Sequence, residues 1–557
     1  MRPVSAARVA LLLLILLACR LAAGSWPVYS ATWDEPEHLA AGIELLDRGR
    51  YEYDTEHPPL ARLLIALGPY LAGARSFGTP PPDGTQEGKD ILYANAHPAE
   101  YLTLARLGTL PFLALLLWAT WLWGRHVLGS ERAALLPVAL LISAPPILGH
   151  AGLASLDIAA AATGLLAFYA LQRWLESGRP GDAAAAGLAS GLAVGTKFSA
   201  VPFLGLALPA LALVRALTGA RPPGAPRPAA RPWVLGLALL VLGTLLVLWL
   251  AYAPRTTDVS GVNVRFTWAV GYLLAQSGFD HTLGVWLSHL WLPREAKDLV
   301  NGVMAVKAHN DTGHRAFLLG QVGEHGWWYF YLVALAVKTP LPLLAGGVAG
   351  LGWLARVGWQ ERAAGRLAPL VLFLVILGFA SLFSRINIGI RHVLVLYPLL
   401  ALGAAYLLQR AWRNRSAARG AAARAGGTAL LAALLTWQFS VLWRAYPDYL
   451  PYFNETVTQP RTVLVDSDLD WGQDLRRLEL RAAQLRIPRL WLAYLGTVDL
   501  GREPLPPFER LRPRQIVHGW VAISALARTR NPTDYAWLEA YQPVERIGAS
   551  IELYYVP

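Results

Sequence analysis

The sequence predicts an all-α polytopic membrane protein with a small soluble α/β domain at its C-terminal end, on three observations. Apolar runs recur from Val9 to Trp443, several of them close to the roughly 20 residues that a helix needs to cross about 30 Å of hydrocarbon. Hydrophobic residues make up 55% of the 557 and charged ones 15%, more apolar surface than a single soluble core requires. From Tyr446 onward the composition becomes that of a soluble domain.

With the N-terminus inside, crossings are expected at Val9–Gly24, Leu102–Trp123, Ala133–Leu148, Leu153–Trp174, Ala183–Val194, Ala200–Leu217, Trp233–Tyr252, Trp328–Leu354, Leu367–Phe383, Val393–Leu408 and Thr428–Trp443, about eleven in all. The first also resembles a signal peptide, with Arg2 and Arg8 ahead of it, but Ala22-Ala23-Gly24-Ser25 is a weak cleavage site and the run reads as a membrane helix. Splitting Ala183–Leu217 into two crossings rests on a break at Gly195-Thr196-Lys197. The loops then placed inside carry Arg125 and Arg132, Arg173 and Arg179, Arg215 to Arg231, Arg356 to Arg366, and Arg410 to Arg424, the bias expected of cytoplasmic loops. The formal charge of +12 therefore reflects orientation, and no nucleic-acid partner is expected.

The outer side receives residues 25–101, residues 253–327, the short turn Ser384–His392 and everything after Arg444. Residues 1–445 form the expected membrane domain and 446–557 an extracytoplasmic α/β domain, with strands at Thr462–Val465, Leu490–Leu495 and Ile551–Val556 and a helix at Asp474–Leu485. The Pro- and Arg-rich Ala220–Pro232 reads as a cytoplasmic linker. Cys19 is the only cysteine, so no intramolecular disulfide can form.

The first outer loop opens with Trp33-Asp34-Glu35-Pro36-Glu37-His38, two adjacent carboxylates just beyond the first crossing. Either can serve as a general base; equally, acidic residues and an early proline suit a helix start. Further on, Glu56-His57-Pro58-Pro59-Leu60 stops one segment and launches an apolar, interfacial helix. An Asp-Glu pair after the first crossing followed by His-Pro-Pro-Leu resembles the protein O-mannosyltransferases and related bacterial enzymes of the GT-C glycosyltransferase superfamily. The likeness continues through Gly326-Trp327-Trp328-Tyr329-Phe330-Tyr331, Lys338-Thr339-Pro340, Arg385-Ile386-Asn387-Ile388-Gly389-Ile390-Arg391-His392, Tyr449-Leu450-Pro451-Tyr452-Phe453-Asn454-Glu455 and Asp470-Trp471-Gly472-Gln473-Asp474. These later segments look more like bacterial phospholipid-carrier-dependent enzymes than eukaryotic mannosyltransferases, and there is no room for the latter's β-trefoil insertion.

The resemblance implies transfer of a hexosyl, mannosyl or pentosyl group from a polyprenyl phosphate to an acceptor hydroxyl on a protein, glycan or lipid, outside the membrane and with inversion. Asp34 matches the family's loop aspartate and would take the acceptor's proton, with Glu35 as helper or substitute. A lipid phosphate leaving group needs fixed positive charge near the membrane face. Arg385, Arg391 and His392 lie on an outer turn, against the usual bias of arginine, with anchoring to lipid headgroups as the plain alternative. Lys197 and Lys338 interrupt apolar stretches and are further expected phosphate contacts. His57, Asp311 and His314 are expected to touch substrate.

His281, His289, His309, His314 and His325 with Asp311 and Glu324 leave a divalent cation as an open alternative, although their spacing matches no standard ligand motif and no other cofactor is indicated. Asp466, Asp468 and Asp470 alternate, but Trp471 replaces the turn glycine and Arg477 the final glutamate of a calcium loop; packing around a capped helix or acceptor recognition are the alternatives. Arginine- and alanine-rich, lysine-poor usage suggests a GC-rich bacterium, hence an inner-membrane setting. A lipid-linked-sugar transporter or a non-catalytic assembly subunit would use a similar polar cavity; the large outer loops and lack of internal repeats argue against a transporter.

Overall fold

The computed structural model describes residues 5–94, 98–219, 230–252, 294–416 and 421–557. The expected linker Ala220–Pro232 and the first part of the second outer loop, with His281 and His289, lie largely or wholly outside them. In chain order the helices are α1 (Ala6–Ala22), α2 (Glu35–Arg48), α3 (Leu60–Leu71), α4 (Gly84–Tyr93), α5 (Pro98–Leu107), α6 (Leu110–Leu128), α7 (Leu135–Ile142), α8 (Pro145–Ala151), α9 (Asp157–Ser177), α10 (Pro180–Val194), α11 (Ala200–Thr218) and α12 (Ala230–Tyr252). After them come α13 (Arg294–Thr312), α14 (Phe330–Lys338), α15 (Leu341–Gln360), α16 (Ala364–Phe383), α17 (Leu396–Ser416), α18 (Ala421–Ala445), α19 (Leu475–Gln484) and α20 (Ala525–Arg530).

Eight helices among the described residues are long and apolar enough to cross a bilayer: Ala6–Ser25, Pro98–Leu128, Asp157–Ser177, Ala200–Thr218, Trp233–Tyr252, Leu341–Gln360, Ala364–Phe383 and Arg424–Ala445. The other expected crossings fall on helices of a different kind. Ala133–Leu148 is broken between α7 and α8 at Pro145-Pro146, where proline removes ladder hydrogen bonds. Ala183–Val194 lies in α10, only 15 residues long, and Val393–Leu408 lies largely in α17, whose last turns carry arginines. The chain does leave the helix between α10 and α11, around Lys197. Small residues let some helices touch backbone to backbone: a Cβ on Gly350 of α15 would sit 1.9 Å from the Gly403 carbonyl of α17.

The first outer loop is itself helical. Glu35, Glu37 and an early proline open α2, and Gly49 closes it at φ 60°. Between α2 and α3 the chain wraps a fully buried Arg62, which donates to the Tyr51 hydroxyl and the Asp54 carbonyl at 2.7 Å each and pairs with the Asp54 carboxylate.

The C-terminal strands are β3 (Leu490–Ala493), β4 (Phe508–Arg510), β5 (Gly519–Ser524), β6 (Glu545–Ile547) and β7 (Ile551–Val556), after a small hairpin, β1 (Ala316–Leu318) and β2 (Gln321–Gly323), in the second outer loop. The mixed sheet runs β4-β3-β5-β7-β6, with β3 parallel to β4 and β5 and the other pairs antiparallel. Its side chains alternate: Leu490, Leu492, Ala522, Ile551 and Leu553 join the main core, while Ala493, Val521, Ile523, Tyr554 and Val556 form a second core on the other face. The strand expected at Thr462–Val465 is instead a 3-10 turn, Pro460–Thr462, followed by a single bridge from Leu464 to Leu318. It meets the β1–β2 hairpin only at that bridge and where the Leu319 amide donates to the Val463 carbonyl at 2.9 Å, too little pairing for a ladder.

The domain meets the first loop where Glu479 of α19 hydrogen-bonds Glu503, which also accepts from the Tyr93 hydroxyl. Burial and the adjacent Glu503 push the Glu479 carboxyl up to about 8, from an ordinary value of 4.5. The folded protein therefore holds this proton while the unfolded chain releases it near 4.5, so the contribution to stability is full below that pH and lost as pH rises through about 8. Between about pH 5 and pH 8 the melting temperature is expected to fall in the wild type and to stay flatter in Glu479→Gln, which keeps a neutral donor there. Parallel curves would show that the folded protein does not hold this proton.

Candidate active site

Two ion pairs set on separate elements form the centre of the site. Asp34 sits immediately before α2, and one of its oxygens accepts from Arg391 Nη1 at 2.6 Å. Arg391 belongs to the 3-10 turn Ile390–Val393 between α16 and α17, and Asp157, the first residue of α9, lies 3.8 Å from the same nitrogen. Lys197, in the break between α10 and α11, holds the other Asp157 oxygen at 2.8 Å. Two acids and two bases thus balance in a region where Asp157 and Arg391 are almost fully enclosed. Burial opposes the charge on Arg391, but Asp34, Asp157 and Asp466 outweigh it and hold its proton more firmly than usual.

Asp34, Arg391 and Lys197 line a cavity of about 870 Å³ bounded by the first loop, α13, the turn after α16 and the start of the C-terminal domain. Of the other residues singled out in the sequence, His57, His314 and His392 also face it. A small apolar crevice of about 30 Å³ between α9 and α11, walled by Ala161, Phe168, Phe203 and Leu204, shares Lys197, Arg391 and His392 with it. The polar cavity and the apolar crevice therefore meet at the cations.

Burial pushes His38, His57 and His314 toward the neutral form. Burial, then Lys197, pushes His57 down to about 4, and its Nδ1 lies 3.1 Å from Asp54. Burial and Arg62 likewise depress His38. Glu56, His309 and His314 form a chain, with 3.1 Å from Glu56 to His309 Nδ1 and 3.1 Å from His309 Nε2 to His314 Nδ1. Among the described residues, no group of three or more His, Cys, Asp or Glu side chains is arranged to hold a metal ion.

Four expected site residues lie elsewhere. Glu35, read as helper or substitute base, points away from the cavity and is saturated: Arg106 donates to it at 2.7 and 2.8 Å, the Thr32 and Ala154 amides at 2.8 and 2.7 Å, and the Thr32 hydroxyl at 3.1 Å. Burial alone would raise its pKa, but Arg106 and the amides hold the carboxyl below its ordinary value. It fastens the loop to α5 and to the chain before α9. Glu35→Gln is expected to cost on the order of 3 kcal/mol of stability, because Arg106 would be left buried without a counter-charge; an unchanged melting temperature would refute this role. Arg385 is exposed and donates to the Asp311 carbonyl at 3.2 Å. Asp311 does not line the cavity; it pairs with Lys307, which does. Lys338 is buried at the end of α14, where it donates to the carbonyls of Leu450 and Asp468 at 2.9 and 2.6 Å and fastens the C-terminal domain to the bundle.

Asp157 carried no expectation, and Asp466 and Trp471 only the alternatives of packing or acceptor recognition; all three belong to the site. Asp157 joins the ion pairs, Asp466 lines the cavity with its carboxyl pushed up to about 6 chiefly by burial, and Trp471 lies against Arg391. Asp157 carried a signal, an acid at the head of an apolar helix, of the same kind that drew attention to Lys197.

No curated protein matches the chain. The solved structures it resembles include ArnT from Cupriavidus metallidurans bound to undecaprenyl phosphate, with TM-score 0.45, 14% identity and coverage of 99% of this chain and 98% of that one. The same protein in the apo state gives 0.44, 15%, 99% and 98%. The archaeal oligosaccharyltransferase AglB from Archaeoglobus fulgidus, in complex with an inhibitory peptide and a dolichol-phosphate, gives 0.41 and 13% over 78% of this chain and 55% of that one. The family described as dolichyl-phosphate-mannose-protein mannosyltransferase matches residues 10–218, from α1 to α11 with Asp34, His57, Asp157 and Lys197 inside the match, so over this part the chain resembles the protein O-mannosyltransferases.

Proposed function

We propose that the chain is a membrane glycosyltransferase that moves a sugar from a polyprenyl phosphate to an acceptor hydroxyl, with Asp34 as general base and inversion at the anomeric carbon. The observation that carries this reading is the Asp34–Arg391 pair: the family's loop acid and a buried guanidinium meet in one cavity, beside a small apolar crevice. In the reaction the acceptor oxygen attacks the anomeric carbon and its proton passes to Asp34. The bond from that carbon to the phosphate oxygen breaks, and the electron pair leaves on the phosphate, where Arg391 and Lys197 balance the developing charge. Both cations already have acid partners, so the donor phosphate takes Arg391 by displacing Asp34, and the base is released only when the donor is seated. His57, His314 and the Glu56–His309 chain supply hydrogen bonds to sugar and acceptor hydroxyls.

On this reading residues 1–445 are the transferase domain, 446–557 an extracytoplasmic domain, and the setting is the bacterial inner membrane with the cavity facing outward. The acceptor is a protein, glycan or lipid. The test is transfer of radiolabel from a panel of polyprenyl-phosphate hexoses and pentoses to membrane extracts by the purified protein in lipid nanodiscs. Label in the acceptor fraction supports the reading. Movement of lipid-linked sugar across liposomes with no transfer would replace it with a transporter.

A further inference from the structure

Trp471 lies in the soluble domain by sequence, yet its indole ring packs against Arg391, with 4.4 Å from the guanidinium carbon to the ring centroid. It is 2% exposed and meets His150 edge-on at 5.9 Å. The short segment around it is tied to both halves of the ion pair. Its carbonyl accepts from the Trp33 amide at 3.0 Å and the Gln473 carbonyl from Ser30 at 2.9 Å, which fixes the chain leading to Asp34. On the other side the Ile390 amide donates to Asp468 at 3.1 Å and the Ser467 hydroxyl to the Ile388 carbonyl, which fixes the chain leading to Arg391. The two backbones approach so closely at Gly389, with φ 141°, that a Cβ there would lie 2.1 Å from the Ser467 hydroxyl oxygen.

Stacking differs from hydrogen bonding in one respect that matters here: it restrains a guanidinium through its face and leaves every N–H free for another partner. If Arg391 were held only by Asp34, the arrival of a phosphate would remove its anchor along with its counter-charge. Against Trp471, and with Asp157 still 3.8 Å away, it can change partners without moving.

We propose that Trp471 is a positioning residue for the donor phosphate: it holds Arg391 in place while that arginine exchanges Asp34 for phosphate, and the Asp466–Trp471 segment is thereby part of the active-site wall. The proposal rests on the reading of Arg391 as the phosphate ligand.

The experiment uses the full chain in nanodiscs, with farnesyl phosphate as the binding probe and transfer kinetics on whichever polyprenyl-phosphate sugar of the panel is transferred. Trp471→Leu is expected to raise the donor KM and the farnesyl phosphate Kd about tenfold with the acceptor KM unchanged, and Trp471→Phe, which keeps a weaker aromatic face, about threefold. The Phe variant alone decides the matter if the Leu variant does not fold. Donor KM and Kd unchanged in Trp471→Phe, or donor and acceptor KM raised equally, would overturn the positioning role while leaving the transferase intact. A wild type that transfers no sugar but binds farnesyl phosphate more tightly than Trp471→Phe would instead defeat the transferase reading and uphold the proposal.

Discussion

Asp34→Asn is expected to lower sugar transfer by a factor of about 10² to 10⁴ while binding farnesyl phosphate about tenfold more tightly than the wild type. The two effects have opposite signs because Asp34 does two things. As the base it takes the acceptor's proton, which asparagine cannot do. As the partner of Arg391 at 2.6 Å it competes with the phosphate for the same N–H, and asparagine competes without charge. A residue that merely lined the donor pocket would weaken binding when changed. Equilibrium binding of labelled farnesyl phosphate, measured beside single-turnover transfer, separates these cases: full activity in the variant removes Asp34 from the chemistry, and unchanged or weaker binding removes the exchange on Arg391. The exchange also predicts order, with the acceptor activated only after the donor is seated.

How far the sequence led depended on which physical signal each residue carried. Long apolar runs report directly on the bilayer, and most expected crossings fall on one helix, with the chain leaving the helix at Lys197 as expected and Trp328–Leu354 divided at Thr339-Pro340. The run Ala133–Leu148 failed as one helix because apolarity was weighed above its paired prolines. Asp34 and Glu35 were indistinguishable in sequence, since adjacent carboxylates have the same chemistry; one residue of helical rotation turns Asp34 into the cavity and Glu35 onto Arg106. The rule that ionisable groups at membrane depth serve a cavity succeeded for Lys197 and misled for Lys338, whose charge is absorbed by backbone carbonyls. Applied to acids as well as lysines, it would have found Asp157. Trp471 stood within a recognised motif but reads as core packing, and nothing short of the fold shows that an arginine some 80 residues earlier rests on its face.

Arg391→Lys is expected to reduce transfer by about 10² to 10³, despite conserving charge, because an ammonium has no planar face to rest on Trp471. One guanidinium nitrogen holds Asp34 at 2.6 Å and stands 3.8 Å from Asp157, while the face lies against Trp471 at 4.4 Å. An ammonium can meet the acids but loses the contact that holds the cation in place while they are exchanged. Arg391→Gln goes further and leaves Asp34 and Asp157 in an enclosed site with Lys197 as the remaining cation of the ion pairs, so it is expected to cost about 3 to 5 kcal/mol of stability as well. The double variant Arg391→Gln/Asp34→Asn removes the orphaned acid and should melt closer to the wild type while transferring no sugar. Because Asp34→Asn alone removes the base, donor binding and not activity tests Arg391 here: the double variant should bind farnesyl phosphate more weakly than Asp34→Asn alone, whereas a purely structural arginine would leave the two equal. If Arg391→Lys keeps the wild-type donor KM, the phosphate is held elsewhere, and Lys197 becomes the cation to change next.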